Sequence, residues 1–397
     1  MAGTGSNRFE FRISRDNPDS NSVAAMIPHE LVVEILTWLP AIHLWPLRCV
    51  NKTWFNLLTT DSNFAKLHFN RSISNPSIIA KTSSGKANFH LAIDYTACNE
   101  SINLGFPFEE GEDYYSLIGI SNGLICILHM TRNDVYIWNP IIKNQISIKY
   151  PPSPAYFGFG FHQDSNAYKV VKIVPRNALH VSVWTLGVDS SWRDLEVDKE
   201  CKIHFVISMP SPIVNGCIHW LAIKGEPSYM TIILSFDMKD EVIAEIALPI
   251  EVSLMRTYDN CLEIMEIGGC LCICCYSVEN EILQIWEMKD YGDVSSWRKL
   301  ELGRPEVGDL VSFALQLKPR GLIARTGEIM LQKTSRVSNG ESSPDMKRQL
   351  ILYNFKTKLV TNLKEFGFEP CDVCVFVGSI IAPRVISWLH NDVENGE

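Results

Sequence analysis

Apolar positions along this chain follow two different periods. Between Pro28 and His68 they recur every three or four residues; beyond residue 112 short β-branched and aromatic runs alternate with Gly, Asn, Asp and Pro. The first pattern predicts helices and the second an all-β fold. Pro28 suits a first helical position, and Leu31, Val32, Ile35, Leu36 and Leu39 recur on one face until Pro40, which predicts a helix of about three turns. Leu47, Val50, Trp54 and Leu57 or Leu58 predict a second helix, with Arg48, Asn51 and Lys52 mainly on its polar side, and Phe64, Leu67 and His68 a short third. Helices this short bury too little area to offset their ordering entropy, since units below ~40 residues usually need a metal, disulfides or another chain. Residues 26–70 are therefore expected to be completed by a partner.

The all-β part repeats itself. SSWRDLE at 190–196 returns as SSWRKLE at 295–301, 105 residues later. An aromatic strand, a polar turn and a second strand align five times on Trp138, Trp184, Phe236, Trp286 and Tyr353, at successive spacings of 46, 52, 50 and 67 residues. The last interval holds a polar, Ser-rich stretch, 334–347, which reads as a surface insertion loop. Four strands per ~50 residues predict a β-propeller, with a two-sheet β-sandwich as the alternative. Strands in 77–106 or 373–388 are expected to close a ring of five or six blades. The fold class is thus α+β multidomain, small all-α helices followed by an all-β repeat domain. Its expected parts are a disordered tail (1–25), the helices (26–70), a linker with first-blade strands (71–112), the propeller (113–390) and a tail (391–397).

Charge and cysteines narrow the function. The formal charge is −9 with a pI near 5.6, and no basic run exceeds two residues, which argues against a nucleic-acid backbone as ligand. The apolar stretch 264–278 is broken by Glu266 and a Gly pair and falls short of the ~20 residues a membrane helix needs, and residues 1–22 lack the apolar centre of a signal peptide. A cytosolic or nuclear location is expected, without membrane partners. Most of the twelve cysteines are then free thiols; Cys270, Cys272, Cys274 and Cys275 read as small apolar residues of a buried strand, and Cys371-x-x-Cys374 lacks further ligands for a tetrahedral metal site. The sequons at Asn51, Asn70 and Asn99 carry no meaning in that compartment.

No nucleophile elbow, P-loop, dinucleotide fingerprint or HExxH pair occurs, so no catalytic, cofactor-binding or metal residues are expected. Asn122-Gly123 and Asn215-Gly216 read as turns needing positive φ, His162 and His219 as hydrogen-bonded core, and the repeated Trp192 and Trp297 as blade packing.

Two stretches resemble known families. The pattern Ile27-Pro28-x-Glu30-Leu31-x-x-Glu34-Ile35-Leu36-x-x-Leu39-Pro40, followed by Leu44, Arg48-Cys49-Val50-x-Lys52-x-Trp54 and Leu57, resembles the F-box. That resemblance implies docking on the Skp-type adaptor of an SCF (Skp, cullin, F-box) ubiquitin ligase, and through it on cullin. By position, the contacts would come from Ile27, Pro28, Leu31, Ile35, Leu36, Leu39, Pro40, Leu44, Leu47, Val50 and Trp54. The chain departs from the family at Ile42-His43, where a Lys-Ser pair is usual and the Ser would cap the second helix, and at Pro46. Ser121-Asn122-Gly123-Leu124-Ile125-Cys126, Ile137-Trp138-Asn139-Pro140, Phe159-Gly160-Phe161-His162 with Tyr168-Lys169-Val170-Val171, and Asn215-Gly216-x-x-His219-Trp220 resemble the plant F-box-associated, kelch-like domain, and the layout is similar to S-locus F-box proteins. Together they imply a non-catalytic receptor that delivers an unidentified target protein for ubiquitination. The alternative is a lectin-like or scaffold protein with a vestigial F-box.

Overall fold

The computed structural model describes residues 28–82, 88–94, 100–106, 115–175, 179–197, 203–206, 210–225, 230–253, 260–277, 282–302, 314–323, 326–337, 345–363, 366, 368 and 370–383. Both expected tails and Ile27 lie outside them. Helix α1, His29–Leu36, starts behind Pro28 and is shorter than three turns. It ends early because the N–H groups of Trp38 and Leu39 take i−3 carbonyls, on Ile35 and Leu36, and the Thr37 hydroxyl donates to the Glu34 carbonyl at 2.7 Å.

The second expected helix is two. Helix α2, Ala41–Leu44, runs into a 3-10 turn at Trp45–Cys49, and α3 spans Lys52–Thr59. Between them Asn51 is extended (φ −162°), and its side chain accepts the Trp54 N–H at 2.8 Å, an N-cap. The three-and-four spacing of Leu47, Val50 and Trp54 therefore crosses a helix boundary. Asn51 also removes the need for a cap at His43, which lies in the last turn of α2, and Pro46 sits in the first turn of the 3-10 segment, where no intrahelical N–H is required. Helix α4, Ser62–Ser72, capped by Asp61 through the Phe64 N–H at 2.9 Å, is longer than the short third helix expected.

Six separate sheets follow, which excludes the two-sheet sandwich. Blade 1 pairs Ser77–Thr82, Phe89–Ala92 and Ile102–Gly105 with the late strand Pro370–Phe376; blades 2 to 6 occupy 115–149, 156–195, 203–246, 260–302 and 314–362. Both segments expected to close the ring thus build one blade, with Ser77 opposite Phe376 and Ile79 opposite Cys374. The possible first-blade strands read within 71–112 form a sheet with the closing strand. The five aligned aromatics each occupy the third strand of a blade. Trp138, Trp184, Phe236, Trp286 and Tyr353 stand opposite Ile125, Val170, Ile218, Ile273 and Ile329 on the second strand.

The stretch 334–347 is largely not a loop. The second and third strands of blade 6 run Glu328–Val337 and Asp345–Asn354, paired out to Val337 opposite Asp345, so only 338–344 remains, outside the described residues. Its alternating polar residues suit a solvated hairpin as well as a loop, which is why composition alone misread it.

Neighbouring blades are keyed together. Gly158 and Gly160 leave room for the next blade: a Cβ at 158 would lie 2.3 Å from the Trp220 ring, whose Nε1–H donates to the Phe157 carbonyl at 3.1 Å. Trp192 and Trp297 donate their indole N–H to the carbonyls of Lys149 and Ala247 in the preceding blade, at 2.7 and 3.2 Å, so the 105-residue repeat is an interblade staple recurring two blades on. Glu241 of blade 4 accepts from Arg193 (2.5 and 2.8 Å) and Lys169 (2.7 Å) of blade 3, and these cations hold its carboxyl down at about 2.

His219 is fully buried between the Pro212 carbonyl and the Tyr291 hydroxyl, and burial lowers its pKa to about 4. His162 contacts Ser165. Cys272 and Cys274 pack toward blade 6 and Cys275 toward blade 4, where burial pushes the Cys275 thiol up to about 12. Cys371 sits at a bulge of the closing strand with its thiol 3.2 Å from the Thr82 carbonyl, and Cys374 packs against the core shared with the helices.

Past the closing strand, residues 378–382 form a strap across blade 2. The buried Asn139 amide donates to the carbonyls of Ser379 (2.9 Å) and Ile381 (2.8 Å), while its oxygen accepts the N–H of Ile141 at 2.9 Å. Gly123 lies beneath the strap. It has φ +76°, and a Cβ there would sit 2.4 Å from the Ser379 hydroxyl; Gly269, in the corresponding turn of blade 5, has φ +83° and open space around it. Gly269→Ala should cost only the left-handed penalty, about 1 kcal/mol, and Gly123→Ala at least about 3 kcal/mol because it also displaces the strap. Chemical unfolding of the two variants side by side measures the difference, and equal losses would mean the strap does not constrain Gly123.

Candidate docking surface on the N-terminal helices

The apolar residues of α1 and the turn after it divide between two faces. Val32, Leu36 and Leu39 turn inward and Leu31, Ile35 and Trp38 outward, each set at helical spacing. The inward set joins Ala41, Leu44, Leu57, Leu58 and Phe64 in a core shared with blades 1 and 2, which contribute Ile79, Leu91, Trp138, Ile141 and Phe376. Ala41 seats directly on the strap at Gly378, where an added Cβ would approach it to 3.3 Å. The outward set has no such cover: Leu31 is 53%, Ile35 55% and Trp38 64% exposed, joined by Val50 at 59% and Phe55 at 50%.

The proposed contact residues therefore split. Pro28, Leu31, Ile35, Pro40 and Val50 are exposed, and Leu39, Leu47 and Trp54 half-buried. Leu36 and Leu44, at 2% and 0% exposure, pack in the internal core rather than on the outward face, because the single apolar stripe read from the sequence is wide enough to be two faces. Trp38 and Phe55, outside the expected set, share this exposure. Trp38 falls seven residues after Leu31, two helical turns on, so its place on the outward face is readable from spacing.

Helix α4 fixes α1 from the side. The Arg71 guanidinium donates to the Glu34 carboxylate at 2.8 Å and to the Thr37 hydroxyl, and lies 4.9 Å from the Trp38 ring centroid. The Trp38 indole donates to Glu34 at 3.2 Å, and these bonds, Arg71 first, hold the Glu34 carboxyl below its usual value. An exposed tryptophan is thus held in a defined orientation. A cleft of about 410 Å³ lies between these residues and blade 1, reaching Leu91, Asp94 and Ile141.

His68 of α4 is fully buried, with Nε2 2.8 Å from the Leu39 carbonyl. That geometry places a proton on Nε2, and burial, which disfavours the charged ring, lowers the pKa below 6.5. Below pH 6.5 the unfolded chain binds a proton the folded one resists, so this contribution is complete above pH 6.5 and declines as pH falls beneath it. His68→Gln should remove that decline, so that the wild-type-minus-variant unfolding midpoint falls as pH drops below 6.5; parallel pH curves would show that His68 does not carry it.

Comparison with known proteins agrees with this division of the chain. The family described as the F-box associated beta propeller domain matches residues 78–374, and the F-box domain matches 26–66. Relatives from Arabidopsis thaliana include F-box protein At3g07870, 26% identical over 83% of this chain and 88% of its own length. F-box/kelch-repeat protein At3g23880 is 26% identical over 72% and 81%, and the putative F-box protein At1g32420 27% over 66% and 86%. The family match begins at the first propeller strand and ends in the closing strand, and the chain accordingly belongs to the F-box proteins that carry an F-box-associated β-propeller.

Proposed function

We propose that this chain is the substrate-recognition subunit of an SCF-type ubiquitin ligase, working in the cytosol or nucleus. Its outward helix face docks on a Skp-type adaptor and through it on cullin, and its propeller holds a target protein. The observation that carries this reading is the distribution of exposed apolar groups. Among the described residues, seven of the sixteen exposed large apolar side chains (Leu31, Ile35, Trp38, Val50, Phe55, Leu67 and Ile73) lie within 28–73, on the four short helices and the turns that directly follow helical segments. Such concentration on a small element is typical of an interface without its partner. The inner face of the same helices is already occupied by the propeller, so a second chain is what the outer face fits.

The contribution to chemistry is proximity: the receptor itself moves no proton, and holds the target's lysines near a charged ubiquitin donor. The scaffold reading drew on His43 and Pro46. With Asn51 as the cap and Pro46 in a first turn, neither departure impairs the helices, which favours a working F-box over a vestigial one.

Leu31→Asp with Ile35→Asp tests the assignment, since both side chains are exposed and their loss leaves the internal core intact. Pull-down of a Skp-type adaptor should weaken by more than about 100-fold, as two unpaired charges enter an apolar interface, with the unfolding midpoint unchanged. Undiminished capture, or a wild-type chain that brings down neither adaptor nor cullin, would overturn the proposal.

A further inference from the structure

The connection between α4 and the first propeller strand joins Ser72 to Ser77 and runs along the cleft beside Trp38. The Ser74 N–H donates to the Arg71 carbonyl at 3.4 Å, closing a turn that keeps the two residues within about 7 Å of each other. Three serines line this side of the cleft, and they differ in what their hydroxyls do. Ser72 donates to the His68 carbonyl at 2.9 Å, and Ser77 is half-buried in a strand opposite Phe376. Ser74 is exposed, and its hydroxyl makes no hydrogen bond among the described residues. On the same wall Arg71 is the one cation and Asp94 the one carboxylate among the described residues.

Arg71 is also the group on which the orientation of Trp38 depends. It pairs with Glu34 at 2.8 Å and lies 4.9 Å from the Trp38 ring centroid, while Glu34 accepts the Trp38 indole N–H at 3.2 Å. The latch is a surface one: the Glu34 side chain is 50% and Trp38 64% exposed, so each contact contributes little and exchanges readily. A phosphate on Ser74 would bring about two negative charges and three acceptor oxygens, against the single charge of Glu34. Guanidinium–phosphate pairs are among the strongest hydrogen bonds in proteins, and that pairing outweighs the one carboxylate across the cleft. The same phosphate would repel Glu34 from the shared cation. It would also stand at the negative end of α4, which loosens the last turn that carries Arg71.

We propose that Ser74 is a phosphorylation site through which adaptor docking is turned down: its phosphate takes Arg71 from Glu34 and leaves Trp38 unlatched. The release of Trp38 stands on the geometry alone, and only its effect on the adaptor rests on the receptor reading. In the modification itself the γ-phosphoryl group of ATP passes to the Ser74 oxygen, the hydroxyl proton leaves to the base of a protein kinase, and ADP departs. Arg71 lies three residues before Ser74, a cation at a fixed offset that an acidic peptide groove of such a kinase can read. Helix ends and short surface turns open locally at small cost, which gives the kinase access to the segment. An unlatched Trp38 must be ordered again when the adaptor binds, and the affinity falls by that cost.

The test uses the full chain with phosphoserine encoded at position 74 and fluorotryptophan at all ten tryptophans, the Trp38 resonance being assigned by its loss in Trp38→Phe. In fluorine NMR of the chain alone, the phosphate should move the Trp38 signal toward its position in Glu34→Gln. A phosphorus NMR titration should place the second pKa of the phosphate below its usual ~6, and Arg71→Gln should restore it. Binding of a Skp-type adaptor should weaken about two- to tenfold, the cost of ordering one large side chain. Ser74→Asp, with one charge, should move the Trp38 signal the same way by less, and decides the matter if the phosphorylated chain does not fold. An unmoved Trp38 signal, a phosphate pKa indifferent to Arg71→Gln, or undiminished adaptor binding beside a displaced Trp38 signal would each overturn the proposal. So would the absence of phosphate on Ser74 after the wild-type chain is incubated with ATP and a purified kinase that selects arginine three residues before serine. Both NMR measurements are made without adaptor, so a failure of the receptor reading shows separately, as no adaptor binding by the unphosphorylated chain.

Discussion

The antiparallel pairing of residues 77–82 with 370–376 is the constraint on which the rest depends. It closes six sheets into a ring, and it brings together the two ends of the β domain. Helix α4 ends five residues before the first of these strands and the strap begins two residues after the second, so one ladder sets the position of both. The seat for Ala41 at Gly378 and the shared core under Leu36 and Leu44 follow from that ladder. A closed ring also leaves the inner strand of each blade packed against its neighbours, which is how a sheet of four strands buries both faces.

Much of this was legible in the amino-acid pattern because repetition is a strong signal. The five aromatics that recur along the sequence occupy equivalent third-strand positions, and Trp192 and Trp297 occupy equivalent interblade positions. What escaped notice was set by contacts across the chain. Leu31 and Leu36 are both leucines at helical spacing, and nothing local says that one faces solvent and the other Trp138 and Phe376. Asn51 could have been read as a cap, since it precedes a helix and its side chain can reach the Trp54 N–H, but the apolar spacing across it was the louder pattern.

The same economy governs the short helices. They are too small to fold on apolar burial of their own, and the structure resolves this by lending them one face of the propeller. The other face remains apolar, and its most exposed aromatic, Trp38, is fixed by Glu34 and Arg71 before any partner arrives. Ordering that side chain in advance reduces the entropy lost on association.

The strap gives the helices a seat made from the last part of the β domain. During synthesis α1 to α4 emerge first, and residues 378–382, with the strand that positions them, emerge roughly 300 residues later. At ~5–20 residues per second this leaves an interval of about 15–60 s in which the inward faces of Leu36 and Leu44 have nowhere to pack. For that time both apolar faces of α1 are open to whatever binds nascent chains, and only completion of the ring hides one of them.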